Sequence, residues 1–216
     1  ILFFVNRYQV PKDAHASEEL KKDLNFHAEE KRNSKIPHRK VKLLMCGICF
    51  AIYASAELGW FNFAQAMYQN LEGTELHADD AAHVVALLFV TYALGRLATA
   101  FIAMKLSPEI IISYHFAIIS LSVVVQYFTR TNHTMITVTN LILGYGFSAM
   151  TPGILAFTER HLHLSERICS FFSFGAGICF LIIPLIMGQT FDEHPILLFF
   201  LEGTFISISL ILFIGV

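Results

Sequence analysis

The chain has 216 residues, of which 55% are hydrophobic and only 15% are charged, and its formal net charge is −2. A soluble domain averages about 25% charged and 45–50% apolar residues, so the interior of a soluble protein of this size could not hold this excess of apolar side chains. The composition therefore excludes an ordinary soluble domain and indicates that lipid surrounds much of the surface. The near-zero net charge argues against a nucleic-acid partner.

The chain begins with a short apolar stretch followed by a long polar one. Residues 1–5 are apolar but too few to cross about 30 Å of hydrocarbon, so we interpret them as the end of a preceding transmembrane helix. Residues 6–42 are polar and contain ten Lys or Arg, and we predict a cytoplasmic central loop with one short helix at about 16–30. The last residues are apolar and lack a polar flank, so we expect the chain to be a fragment of a longer protein.

Six apolar segments follow, each near or above the 20 residues that a spanning helix needs. We predict helices and not barrel strands, because backbone groups in lipid must be satisfied within each segment and alternating patterning is absent. The fold class is therefore all-α, a polytopic membrane protein. The predicted spans are 43–68, 82–104, 109–129, 135–157, 168–190 and 195–216.

The basic residues predict how the spans are oriented in the membrane. If residues 6–42 are cytoplasmic, Lys105, Arg160 and Arg167 fall on the same side as those ten, and Arg130 alone falls outside. An even number of spans returns the C-terminus to the cytoplasm. We therefore predict a multi-pass protein of the cell membrane. Asn132 begins an Asn-His-Thr sequon on the predicted outer side, so it is a candidate glycosylation site.

Glu57 is the first charged residue within a predicted span, where a charge surrounded by lipid is energetically unfavourable. It lies fifteen residues beyond Lys42, roughly 22 Å along the helix, near the middle of the bilayer. A charge at this depth costs at least about 2.5–3.5 kcal/mol, so it marks a candidate functional site. A stripe of polar and aromatic residues shares its face: Tyr53, Phe61, Gln65 and Gln69. The stripe favours a path that binds hydroxyls and a cation; a neutralised carboxylate that holds helices together is the alternative.

Three further spans contain ionisable groups. Arg96 lies nine residues before Lys105, and we expect it to pair with a carboxylate or to contact substrate. Glu202 lies seven residues into the last span, where a buried partner or a protonated state is favoured over a site. His115 is expected to be a hydrogen-bonded packing residue, with a proton relay as the alternative.

The fourth span combines an amide with features that interrupt helices. Asn140 either binds a polar substrate or joins helices, and Gly144 with Ser148 forms a small-xxx-small pair that permits close helix approach. Thr151-Pro152-Gly153 predicts a kink, and Gly175, Gly177 and Pro184 suggest one in the fifth span. Interrupted helices in a polytopic protein favour a transporter.

The other candidate motifs are weak. Cys46 and Cys49 form a C-x-x-C within an apolar segment and are interpreted as small buried hydrophobes. His161 and His163 form an H-x-H that favours a metal site only weakly. With no catalytic constellation in the sequence, we predict that the protein is not an enzyme and has no resident metal or cofactor.

A long basic loop followed by six spans resembles the C-terminal half of a major facilitator superfamily transporter, in which residues 43–216 would be helices seven to twelve. Within that superfamily the chain is most similar to the sodium-dependent glucose transporter group. The similarity rests on Ala56-Glu57, Gly95-Arg96-Leu97, Leu106-Ser107-Pro108, Gly144-Tyr145-Gly146, Pro152, Glu159, Phe171-Phe172, Gly175-Ala176, Ile183-Pro184 and Gly188. The acidic and basic run that the superfamily carries between its eighth and ninth helices is reduced here to Gly95, Arg96 and Lys105.

The resemblance implies sodium-coupled symport of glucose or a related hexose by alternating access, with an N-terminal half of the same protein as partner. The seventh and tenth helices would line the cavity, so Glu57, Gln65 and Asn140 would face the solute, with a sodium ion expected at Glu57. An aromatic face for the sugar would come from Tyr53, Phe61, Trp60 or Tyr145. The alternatives are a proton-coupled or facilitative carrier of another polar solute, and a non-transporting receptor or scaffold.

Overall fold

A computed structural model describes residues 38–71, 73, 76–162, 166–190 and 195–216. In these ranges the regular structure is entirely helical. The helices are α1 (Arg39–Asn70), α2 (Ala78–Ile102), α3 (Pro108–Phe128), α4 (His133–Ser148), α5 (Met150–Leu162), α6 (Glu166–Thr190) and α7 (Leu197–Ile214). They lie in one compact unit, Lys40–Val216.

Six helical segments of the described part are long and apolar enough to cross a membrane. They agree with the six predicted spans, and the all-α fold class is confirmed. The first span is longer than predicted, because α1 already begins at Arg39, within the predicted loop 6–42. The predictions for residues 1–37 lie outside the described residues.

The fourth span is divided where the sequence predicts an interruption. α4 ends at Ser148 and α5 begins at Met150, with Ala149 between them. Pro152 has no N–H to donate to the carbonyl of Ser148, so the ladder of hydrogen bonds cannot continue unchanged through this point. In the fifth span, by contrast, α6 is one continuous helix with Pro184 inside it.

The first and fourth spans lie at the centre of the bundle. In the most apolar window of each, 56% of the residues are buried inside the protein, compared with 11% in the fifth span. α1 reaches several neighbours through its side chains: Cys49 donates to the carbonyl of Ser209 on α7, and Phe50 packs against Phe172 on α6.

A seam of small residues brings α2 and α4 close together. A Cβ atom placed on Gly144 would collide with Thr91 Oγ1 and with the carbonyl oxygen of Leu88. A Cβ atom on Gly95 would lie 2.6 Å from Ser148 Oγ. The predicted small-xxx-small pair therefore faces α2.

Candidate functional site

Glu57 is the buried acid at the centre of the candidate site. Its side chain is only 5% exposed, because α1 lies between the other helices. Both carboxylate oxygens accept hydrogen bonds: Tyr92 on α2 donates to Oε1 at 2.5 Å, and Thr151 on α5 donates to Oε2 at 2.9 Å. The carboxylate therefore joins three helices, and no described residue forms a direct ion pair with it.

Tyr92 connects this carboxylate to Arg96. The Arg96 guanidinium donates to the Tyr92 hydroxyl at 2.5 Å and lies over the Tyr92 ring, 4.6 Å from its centroid. Phe61 packs edge-on against the same ring at 5.1 Å. Arg96 itself is exposed at the surface of the bundle. The Tyr92 hydroxyl thus joins Glu57 to Arg96. The sequence predicts either a carboxylate partner or a substrate contact for Arg96, and the structure shows that it reaches the carboxylate through Tyr92.

A cavity of about 560 Å³ lies beside this chain of hydrogen bonds, between α2, the start of α3 and α5. Arg96 and Thr151, which stand at the two ends of this series of hydrogen bonds, both line the cavity. Thr99 and Ser148 add two more hydroxyl groups to the lining, and the remaining lining residues are apolar. The cavity lining therefore combines four polar side chains with apolar ones, and one of the four, Thr151, contacts the buried acid.

Two other residues predicted for the solute path lie on α1. Tyr53 is fully buried, donates to the carbonyl of Phe147 at 3.4 Å and interacts electrostatically with Glu57. Gln65 is exposed, two helical turns beyond Glu57. Tyr53 therefore belongs to the surroundings of the acid, whereas Gln65 stands apart from it.

Asn140 lies in a second, fully buried polar cluster on the other side of Trp60. Its Nδ2 donates to Tyr68 at 2.6 Å and to the carbonyl of Ile136 at 2.9 Å, and its Oδ1 accepts from Trp60 Nε1 at 3.5 Å. Gln126 also donates to the Tyr68 hydroxyl. Both polar ends of Asn140 are thus used between helices, which corresponds to the helix-joining role that the sequence left open.

Tyr145 belongs to a third group, with Tyr114 and His115. The two tyrosine hydroxyls are 3.3 Å apart, and the His115 ring contacts the carbonyl of Gly146 at 2.7 Å and the Tyr114 hydroxyl at 2.9 Å. His115 is fully buried and stacks on Tyr145 at 5.1 Å. It is therefore hydrogen-bonded at both nitrogens between α3 and α4.

At the ends of the spans, polar side chains make local contacts. Asn132 caps α4, with its side-chain oxygen accepting from the backbone N–H of Met135 at 3.3 Å. Glu109, in the first turn of α3, accepts from His161 at 2.6 Å and from Arg160 at 3.4 Å on α5. The first histidine of the H-x-H, the one that lies in the described residues, thus makes a hydrogen bond between helices.

Sequence reasoning missed the two hydroxyls that hold Glu57. Tyr92 lies four residues before Arg96, so the helical period places it on the same face of α2. The sequence indicates Thr151 only as part of the predicted kink at Thr151-Pro152-Gly153. The Tyr92 spacing could therefore have identified the bridge, but nothing in the sequence points Thr151 towards Glu57.

The comparisons with known proteins give no family: no protein-family model matches the chain, and no curated protein matches it significantly. The resemblance to the major facilitator superfamily thus stays a prediction. In the described ranges, no group of three or more His, Cys, Asp or Glu side chains is arranged to hold a metal ion.

Proposed function

We propose that this chain forms part of a transmembrane carrier that moves a polar solute by alternating access. The observation that carries the proposal is the hydrogen-bonded series from buried Glu57 through Tyr92 to exposed Arg96, because it joins a carboxylate at membrane depth to a cavity between helices. Intramembrane charges of this kind usually mark a substrate or ion pathway. A volume of about 560 Å³ is in the range of small-molecule sites.

Glu57 is the proposed site of the coupling cation. Its carboxylate has the hydroxyls of Tyr92 and Thr151 beside it, and Tyr53 lies close by. Oxygen donors of this kind suit sodium, a hard cation. When a cation binds, the hydroxyl oxygens of Thr151 on α5 and Tyr92 on α2 turn from donating to the carboxylate to ligating the cation, so both side chains reorient. Because Thr151 also lines the cavity, cation binding at Glu57 would change the shape of the cavity wall.

A hexose is the proposed solute, on the strength of the resemblance to sodium-dependent glucose transporters. Arg96, Thr99, Ser148 and Thr151 in the cavity lining offer donors and acceptors for sugar hydroxyls. The apolar lining residues suit the faces of a sugar ring that carry C–H groups. The distribution of basic residues supports a cytoplasmic position for the side of the bundle on which the cavity lies.

A proton-coupled carrier of another polar solute is the second candidate. The observation that favours it is a further buried carboxyl group, Glu202, on α7. One membrane carboxylate can serve either cation, so only measurement separates the two.

Uptake of labelled glucose into vesicles containing the full-length protein tests the proposal. We expect uptake driven by an inward sodium gradient and slowed at least roughly tenfold by Glu57→Gln, since hydrogen bonds to a charged group contribute about 1.5–3 kcal/mol and 1.4 kcal/mol corresponds to a factor of ten. Asp80→Asn is the matched control, because it makes the same chemical change at an exposed position in the first turn of α2.

The outcomes separate the candidates. Uptake that ignores sodium but follows an inward proton gradient would favour the second candidate. A Glu57→Gln protein with unchanged uptake and unchanged sodium dependence would remove Glu57 from the mechanism. A protein that binds a partner but moves no solute would contradict the carrier itself.

A further inference from the structure

Glu202 is a second carboxyl group buried at membrane depth. It lies on α7, is only 2% exposed, and its Oε1 atom has no hydrogen-bond partner. No Lys, Arg or His of the described ranges forms an ion pair with it. This differs from Glu57, whose two oxygens both accept hydrogen bonds. An ionised carboxylate in such surroundings would lack both a counter-ion and a full set of donors.

The packing of α1 against α7 places Glu202 level with Glu57. The helices run antiparallel, with Trp60 packed on Phe199 at 5.6 Å and Cys49 bonded to Ser209 further along. Glu57 comes three residues before Trp60, and Glu202 comes three residues after Phe199. In an antiparallel pair both steps lead the same way by roughly 4.5 Å, so the two acids lie at similar depth. The two carboxyl groups interact electrostatically.

The titratable groups around Glu202 come from α1 and α3; α5 also contacts α7, through the uncharged pair Phe157 and Phe213, about three turns away. From α1 these are Glu57 and Tyr53, and both interact with Glu202 electrostatically. From α3, Tyr127 packs on Phe199, one turn away. The cation nearest in the network, Arg96, is held at the far side of Glu57 through Tyr92. The charges facing Glu202 are therefore acidic or neutral.

A buried carboxyl group of this kind needs a neutralising cation. Burying an unpaired charge costs far more than burying a neutral acid, so the group takes up a proton or a metal ion. Sodium requires several oxygen ligands, whereas Phe199 and Ile206, one turn on either side of Glu202, are buried and apolar. A proton needs only the carboxylate oxygen.

We propose that Glu202 is a proton-binding site of this protein, and that the charge on Glu57 controls the proton. Binding forms one O–H bond on the Glu202 carboxyl group and removes one negative charge from the bundle. While Glu57 is ionised, repulsion keeps the proton on Glu202; when a cation neutralises Glu57, the proton becomes easier to release. As a means of coupling, this inference rests on the proposed carrier function, but the presence of the proton does not.

Infrared difference spectroscopy of the full-length protein in lipid vesicles tests the site directly. Between neutral and alkaline buffer, a range in which exposed carboxyl groups stay ionised, we expect the carbonyl stretching band of a protonated carboxylic acid. Glu202→Gln should abolish this band. Glu57→Gln and Glu202→Asp should both retain it, the second because it keeps an acid at the same place.

Two results would overturn the proposal: no band in the unaltered protein, or a band that survives Glu202→Gln. Because the measurement needs no transported solute, its failure is distinct from failure of the carrier function. Absence of uptake with the band present would contradict the carrier and leave the proton site standing.

Discussion

At the scale of single residues, Tyr92 controls the candidate site. Its hydroxyl donates to Glu57 and accepts from Arg96, so one oxygen atom links the buried acid to the exposed base. Glu57 and Arg96 can be found from the sequence, because charges are rare inside apolar segments and each stands out. Tyr92 is harder to find, because only its four-residue spacing from Arg96 indicates in the sequence that it could bridge the two.

Tyr92→Phe should therefore weaken both the site and the fold. The change leaves Glu57 with one donor and removes the acceptor of Arg96, while the ring contact with Phe61 remains. We expect the free energy of unfolding in detergent to fall by about 0.6–1.7 kcal/mol, the range of hydrogen bonds between membrane helices. Glucose uptake should fall more than this loss of folded protein explains. Tyr127→Phe is the control, because it removes a hydroxyl that takes no part in the hydrogen bonds between Glu57, Tyr92 and Arg96. Equal losses of stability and uptake in the two variants would contradict the bridging role of Tyr92.

At the scale of helices, the close approach of α2 and α4 holds Tyr92 beside Glu57. Gly144 and Gly95 allow this approach, and Thr91, next to Tyr92, lies directly against Gly144. The sequence predicted the small-residue pair and the break near Pro152. It did not predict which helix the pair would face, because these helices are apolar on all sides and periodicity does not select a neighbour.

Gly144→Ala should therefore destabilise the protein. The added methyl group would collide with the Leu88 carbonyl, which is backbone and cannot rotate away. Overpacking of this kind costs about 1–3 kcal/mol, measurable as a lower midpoint of thermal unfolding in detergent. Gly177→Ala is the matched control on α6, where an added Cβ meets no atom within 4 Å. Equal midpoints for the two variants would show that the seam does not hold α2 against α4.

At the scale of the whole molecule, the two most buried spans are those that carry Glu57 and Asn140. The number of spans and their limits could be predicted, because a bilayer imposes a length and an apolar composition on each. The cavity could not, because it depends on how α2, α3 and α5 meet. The role of Asn140 could not be predicted either. The sequence allows a buried amide to bind a solute or to join helices, and only the contacts of Asn140 show that it joins helices.

The cavity wall offers the most direct test of alternating access. Ala156 lines the cavity from α5 and is exposed, so a membrane-impermeant thiol reagent should modify the Ala156→Cys variant of the full-length protein in vesicles. We predict that glucose together with sodium changes the rate of modification several-fold, because the carrier then spends a different share of its time open to that side. A rate that stays the same with and without glucose and sodium, in a protein shown to be folded, would contradict the account.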